Sequence, residues 1–151
     1  MARAIKLAAR GRYGAHPNPM VGAVLVKNGR ILGEGWHKEF GEAHAEINAI
    51  KNAGLSQGSG ARGAALYVTL EPCSTAGKTG PCTEAVIAAG IKRVVIGAMD
   101  PNPANSGRAA GILKAAGIAV RSGVLAPAFL RAPAHPGAAQ RSAQRADDCI
   151  A

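Results

Sequence analysis

Aromatic residues are scarce in this 151-residue chain: two Phe, two Tyr and one Trp, 3% in all. A core must therefore be built from Ala, Val, Ile and Leu, and the stacking platform on which single-stranded nucleic acids are bound has few residues to draw on. Acidic residues are also few, nine against eighteen Lys and Arg, giving a formal charge of +9 and a pI of about 10.1. The segment from Val124 onward holds three Arg against two Asp, so the excess belongs to the body. Such a body favours an anionic partner, a phosphorylated small molecule or a nucleic acid. A solvated basic surface accounts for the same charge equally well. Three cysteines are too few for a disulfide framework. No apolar run approaches the length of a membrane span, and the N-terminus lacks the apolar centre and cleavage site of a signal peptide, so no membrane partner and a cytoplasmic location are expected.

What is present suffices for one domain with a proper core. Ile5, Leu7, Ala8 and Ala9 predict a short amphipathic helix ending at Gly11. The prolines of His16-Pro17-Asn18-Pro19 forbid helix and predict a fixed loop. Val21 to Lys27 and Arg30 to Trp36 read as strands joined by Asn28-Gly29, the strongest short-range hairpin signal. Ala43 to Ala53 reads as a helix stopped by Gly54, Leu55 to Gly63 as a surface loop, and Ala64 to Leu70 as a strand. Pro81 then opens a helix running to Ala89, followed by a strand over Arg93 to Met99. Ser106 is placed to cap a helix over Gly107 to Ala116, before a last strand at Ile118 to Arg121. The order predicts an α/β domain over residues 1–124, a mixed sheet of about five strands sandwiched between helices in three layers. From 125 to 151 the periodicity fails, and an Ala/Pro/Arg-rich, mostly disordered tail is expected, with Phe129-Leu130 as docking candidates.

Chemistry concentrates in His44-Ala45-Glu46, Pro72-Cys73 and, after eight intervening residues, Pro81-Cys82. One imidazole and two thiols form a sufficient protein ligand set for a catalytic Zn2+, whose fourth tetrahedral position stays open to water. Glu46, two residues from His44, supplies a base that is not itself a ligand, and the order H-x-E…P-C…C is a zinc-deaminase signature. Residues two apart on a helix diverge, so His44 and Glu46 converge on one ion only near the N-terminal end of their helix. The expected chemistry is attack of zinc-activated hydroxide on a ring carbon bearing an amino group. Glu46 carries the proton to a ring nitrogen and then to the departing ammonia.

Six stretches together resemble a known family. They are His16-Pro17-Asn18-Pro19, Gly33-Glu34-Gly35-x-His37, Gly41-Glu42-x-His44-Ala45-Glu46, Tyr67-Val68-Thr69-Leu70-Glu71-Pro72-Cys73-Ser74, Gly77-Lys78-Thr79-x-Pro81-Cys82 and Asp100-Pro101-Asn102-Pro103. They look like the deaminase domain of bacterial bifunctional riboflavin-biosynthesis enzymes, over roughly residues 1 to 124. The eight-residue gap between the cysteines separates them from the two-residue gap of cytidine and tRNA-adenosine deaminases. The resemblance implies a cytidine deaminase-like fold, a Zn2+ cofactor, and deamination of the phosphoribosylated 2,5-diamino-6-hydroxypyrimidine to the uracil derivative. It further implies that Asn18 and His37 contact the pyrimidine, and that Lys78, Asp100 and Asn102 contact the sugar-phosphate end. For Asn18 and Asn102 a backbone-shaping role has equal standing on the residues alone.

Two departures stand out. Where the family usually has His after Cys73-Ser74, this chain has Thr75-Ala76, and the reductase domain that commonly follows is not found in these residues. A free-standing or truncated deaminase is expected, with a homo-oligomer and a separate reductase as open partners. Two rival readings remain: a zinc deaminase of another base or nucleoside, of the tRNA-adenosine or cytidine type, and a non-catalytic zinc-stabilised anion-binding domain. The first would want aromatic residues along a groove, and the second a fourth closed ligand, for which His37 is the nearest residue.

Overall fold

The computed structural model describes residues 1–57, 60–75, 80–103 and 105–125, so Lys78 and the tail beyond Leu125 lie outside the described residues. The chain opens with helix α1 (Ala2–Ala8), extended by a 3-10 turn at Ala9–Gly11. A loop with a cis peptide at His16–Pro17 leads to β1 (Gly22–Lys27) and β2 (Arg30–Trp36). Between them Asn28 and Gly29 both take positive φ, 50° and 73°, the turn that suits the twist of a hairpin. There follow α2 (Ala45–Gln57), β3 (Ala65–Leu70), α3 (Cys82–Ala88), β4 (Arg93–Ala98), α4 (Arg108–Ala115) and β5 (Ala119–Arg121).

The five strands form one sheet in the order β2-β1-β3-β4-β5. β1 is antiparallel to both β2 and β3, whereas β3, β4 and β5 run parallel. Alternation along β1 sorts the two faces. Val24 packs with Ala4 and Leu7 of α1, with Val26 and Trp36 against them. Ala23 and Leu25 point the other way, into a core with Ala45, Ala49 and Ala53 of α2, Val86 of α3 and Leu113 of α4. The result is the expected three-layer sandwich, one helix on one face and three on the other. Among the described residues no helix is long and apolar enough to cross a membrane.

Close approach of α2 depends on two glycines of β2. A Cβ on Gly33 or Gly35 would run into the backbone of α2, at Ala49 and Ala53 or at Ala45 and Ala49 respectively. With alanines on the helix side as well, helix and strand meet almost backbone to backbone.

Four boundaries differ from the sequence expectation. Helix α2 begins one residue after His44 and continues through Gly54 to Gln57, because a glycine in right-handed conformation weakens a helix by about 1 kcal/mol without ending it. His44 is therefore the N-cap, its carbonyl accepting from Asn48 N at 3.1 Å. Pro81 is the N-cap of α3, with φ −59° and ψ 134°, and not its first helical residue, which is Cys82. Ser106 does not cap α4; that position falls to Gly107 at φ 83°. Helices α3 and α4 do end as expected, at Gly90 (φ 66°) and Gly117 (φ 80°).

This topology gathers the site. Because β1 is antiparallel to β3, the start of β1, the end of β2 and the ends of β3 and β4 share one edge of the sheet. The loops carrying Asn18, His37, Cys73 and Asp100 consequently converge there, at the carboxyl ends of the parallel strands.

Candidate active site

Three elements deliver the soft donors. His44 caps α2, Cys73 lies three residues past β3, and Cys82 opens α3. His44 Nδ1 lies 3.2 Å from Cys82 Sγ and 3.5 Å from Cys73 Sγ. The three ligand atoms all fall within 4.8 Å of one another. With zinc–sulfur near 2.3 Å and zinc–nitrogen near 2.0 Å, a tetrahedral ion separates a nitrogen and a sulfur donor by about 3.5 Å and two sulfurs by about 3.8 Å. The cluster thus fits a four-coordinate zinc with one position left for water. Two thiolates and an imidazole are also the donors that select a borderline-soft ion over magnesium or calcium.

The local electrostatics favour a thiolate. Cys73 is pulled down to about 4, first by the hydrogen bond from the Cys82 thiol, then by His44 and by the Cys82 backbone N–H, which donates to Cys73 Sγ at 3.2 Å. The same thiol–thiolate hydrogen bond, reinforced by burial, pushes Cys82 up. His44 is raised, chiefly by its hydrogen bond with Cys73. The same three side chains would hold a cation in place of that shared proton.

Glu46 sits in the first turn of α2, 3% exposed. Burial is the leading influence on its carboxyl and pushes its pKa up, while its own backbone N–H, His44 and the Cys82 thiol pull in the other direction. A carboxyl so placed holds its proton more tightly than an exposed Glu does.

Above the cluster opens a cavity of about 370 Å³, a volume that suits a small heterocycle with part of a substituent. Asn18, His37, His44, Glu46, Cys73 and Asp100 all line it. His37, 2% exposed, directs Nδ1 at the Ala43 carbonyl (3.4 Å), and Asn18 Nδ2 donates to its Nε2 at 3.1 Å. That contact turns the amide of Asn18 so that its nitrogen faces His37. The Ala43 carbonyl is shared with Asn48 Nδ2 (3.1 Å), which also donates to the Trp36 carbonyl (2.9 Å). His37 is thereby locked beside His44, the rings edge to face with centroids 5.2 Å apart.

The other expected contacts divide. Asp100 reaches the cavity, yet Oδ1 accepts from Asn102 N at 2.8 Å and Oδ2 from Asn105 Nδ2 at 3.2 Å, so it also builds its own turn. Asn102 is exposed and does not line the cavity; its carbonyl accepts from Asn105 N and Ser106 N. Thr75, which stands where the resemblance would put His, does line the wall. Sequence reasoning missed Glu71 and Phe40, which line the cavity too. Half-exposed Phe40 carried a signal in being one of only two Phe.

An HAE helix start and two Pro-Cys loops around a concave site of this kind define a hydrolytic zinc-deaminase architecture. Residues 1–98 match the model of the cytidine and deoxycytidylate deaminase zinc-binding region, and the chain belongs to that family. Within it, the chain is 54% identical over 125 residues to riboflavin biosynthesis protein RibD of Escherichia coli (strain K12), covering 83% of this chain and 33% of that one. It is 50% identical over 125 residues to the diaminohydroxyphosphoribosylamino-pyrimidine deaminase of Buchnera aphidicola subsp. Schizaphis graminum (strain Sg), covering 83% of this chain and 82% of that protein. Among solved structures, the diaminohydroxyphosphoribosylaminopyrimidine deaminase/5-amino-6-(5-phosphoribosylamino)uracil reductase of Thermotoga maritima superposes with a TM-score of 0.76 at 53% identity, over 82% of this chain and 35% of that one. The chain thus spans about a third of the Escherichia coli and Thermotoga maritima relatives and most of the deaminase from Buchnera.

Proposed function

We propose that the chain catalyses hydrolytic deamination of 2,5-diamino-6-hydroxy-4-(5-phosphoribosylamino)pyrimidine in riboflavin biosynthesis. The observation that carries this reading is 50% identity across 82% of a relative named for that deaminase activity alone. In this reading residues 1–124 form the deaminase domain of a cytoplasmic protein and residues 125–151 an Ala/Pro/Arg-rich tail.

His44, Cys73 and Cys82 would hold Zn2+, which when bound supplies the Lewis acidity that makes water nucleophilic near neutral pH. Glu46 accepts the proton of the attacking water on its carboxylate. It returns a proton to a ring nitrogen as the carbon–oxygen bond forms, and the next to the amine as the carbon–nitrogen bond breaks, so ammonia and a ring carbonyl result. Burial of Glu46 suits both halves of this shuttle, since a raised pKa keeps the carboxyl within reach of protonation. Asn18 and His37 orient the pyrimidine, with His37 steadied by the Ala43 carbonyl. Lys78, Asp100 and Asn102 serve the sugar-phosphate end, and the basic body draws in the anionic substrate.

The test is zinc content together with ammonia release from this pyrimidine, from cytidine and deoxycytidylate, and from adenosine in tRNA. One zinc per chain and ammonia from the phosphoribosylaminopyrimidine alone are expected. Release from a nucleotide or from tRNA, and none from the pyrimidine, would replace the assignment with another deaminase class.

A further inference from the structure

Glu71 follows β3 directly and precedes Pro72-Cys73; it is 7% exposed and lines the cavity. Its backbone N–H donates to the Ala98 carbonyl at 2.9 Å, carrying the β3–β4 ladder one residue beyond the strand. The side chain makes contacts of another kind. Oε2 accepts from Asp100 N (3.2 Å) and Gly107 N (3.0 Å), and Oε1 accepts from Ala109 N (3.1 Å) and Ala110 N (3.4 Å). Both oxygens are therefore occupied by backbone donors.

Those four donors have a common meaning. Gly107, Ala109 and Ala110 are at the N-terminus of α4, whose own N-cap offers no side-chain hydrogen bond. Glu71 satisfies those orphan amides from a strand end 36 to 39 residues away. Asp100 and Gly107 bracket the turn that carries Asp100 and Asn102, and one oxygen clasps both ends of it. The side chain of Asp100 bonds within the turn, to Asn102 and Asn105, so it shapes the turn without attaching it to β3. Glu71 attaches the turn to the loop that bears Cys73.

We infer that Glu71 is a positioning residue that fixes the distance between the substrate-facing turn at Asp100 and the metal-facing loop at Cys73. It acts through Asp100 and not on the reacting atoms. The inference rests on the substrate reading above for its kinetic consequence, and on the clasp alone for its structural one.

The test uses the full zinc-loaded chain, with Glu71→Gln and Glu71→Asp. Gln turns an NH2 toward two backbone donors, and Asp is one methylene short, so each loosens one side of the clasp. KM for the phosphoribosylaminopyrimidine should rise about tenfold in both, with kcat within about threefold and one zinc per chain retained. Amide hydrogen exchange at Asp100 and Gly107 should quicken at least about tenfold, while amides of α2 stay unchanged. A fall in kcat at constant KM, a loss of zinc, or unaltered KM and exchange would overturn the inference. If neither variant folds, exchange in the unaltered protein decides: protected amides at Asp100 and Gly107 support the clasp, and freely exchanging ones overturn it. Should the unaltered protein release no ammonia from the pyrimidine, the substrate reading fails, while the exchange data still decide the clasp.

Discussion

Two carboxyl groups are buried among the described residues, Glu46 at 3% exposure and Glu71 at 7%, and both line the same cavity. They have little else in common. Glu71 is saturated by four backbone amides drawn from the Asp100 turn and the start of α4. Glu46 has its own backbone N–H and the Cys82 thiol as partners, and burial prevails over them to raise its pKa. Burying a carboxyl therefore does not by itself mark a reactive group. What separates the two is whether the folded chain has already spent the oxygens.

The sharpest way to break that contrast is Glu46→Gln. It keeps size and most packing but removes the exchangeable proton, so ammonia release should fall by about a thousandfold or more, with zinc content unchanged. Single-turnover ammonia release and metal analysis check it. A loss below about tenfold would place the proton carrier elsewhere. The same variant has a pH signature in metal-stripped protein. Because the folded pKa of Glu46 is raised, its contribution to stability is full below the ordinary value of 4.5 and is lost as pH rises through the folded one. Wild type should consequently lose Tm relative to Glu46→Gln on going from pH 4 toward neutrality.

Next in size is Cys82→Ala. Cys82 is fully buried, and its removal takes both a donor atom and the thiol that faces Cys73 and Glu46. Zinc affinity should drop on the order of a hundredfold or more, and the Tm gain on adding zinc should shrink accordingly. Calorimetric titration of stripped protein measures the first, and melting with and without zinc the second. Full-strength binding by the variant would remove Cys82 from the ligand set.

Much of this is legible in the sequence, and the reason is local. His44, Glu46, Cys73 and Cys82 stand in short motifs whose spacing carries their chemistry, and Asn28-Gly29 needs only its own two φ angles to announce a hairpin. Glu71 could not be read that way. Its partners come 29 to 39 residues later in the chain, and they are backbone amides, which leave no mark on residue type. The same holds for Gly33 and Gly35, whose role appears only once α2 lies across them. Ser106 illustrates the opposite error: a good capping residue by type was passed over because a remote carboxylate had already taken the amides.

Asn48 gives a smaller effect. One side-chain nitrogen bonds the carbonyls of Trp36 and Ala43, and Ala43 in turn anchors His37. Asn48→Ala should cost about 1–2 kcal/mol of stability. Denaturant unfolding would check it. KM should rise severalfold while kcat holds, since His37 loses its support and Glu46 does not. Unchanged stability would mean that the two carbonyls find other donors.

The smallest effect belongs to a carboxylate on the surface. Glu34 of β2 receives Arg3 of α1 side-on, Nε to Oε1 at 2.5 Å and Nη2 to Oε2 at 2.8 Å. Its pKa is lowered, first by that hydrogen bond and, against an opposing effect of burial that outweighs either charge, by the charges of Arg3 and Arg10. The sign is opposite to that of Glu46: the stabilisation is full above the ordinary value of 4.5 and vanishes as pH falls through the lowered one. Arg3 adds nothing to this window, because its raised pKa titrates far above it. An exposed pair is screened by water and salt, so Glu34→Gln should lower Tm by only about 1–3 °C near neutral pH. The gap should close below pH 4 and narrow in 1 M salt, where screening is set by a Debye length of about 3 Å. Melting curves of the two proteins across pH 3 to 7 would show it. If the gap were to widen on acidification, Glu34 would have to be a group that gains a proton on folding, as Glu46 is, and exposure would no longer separate the two.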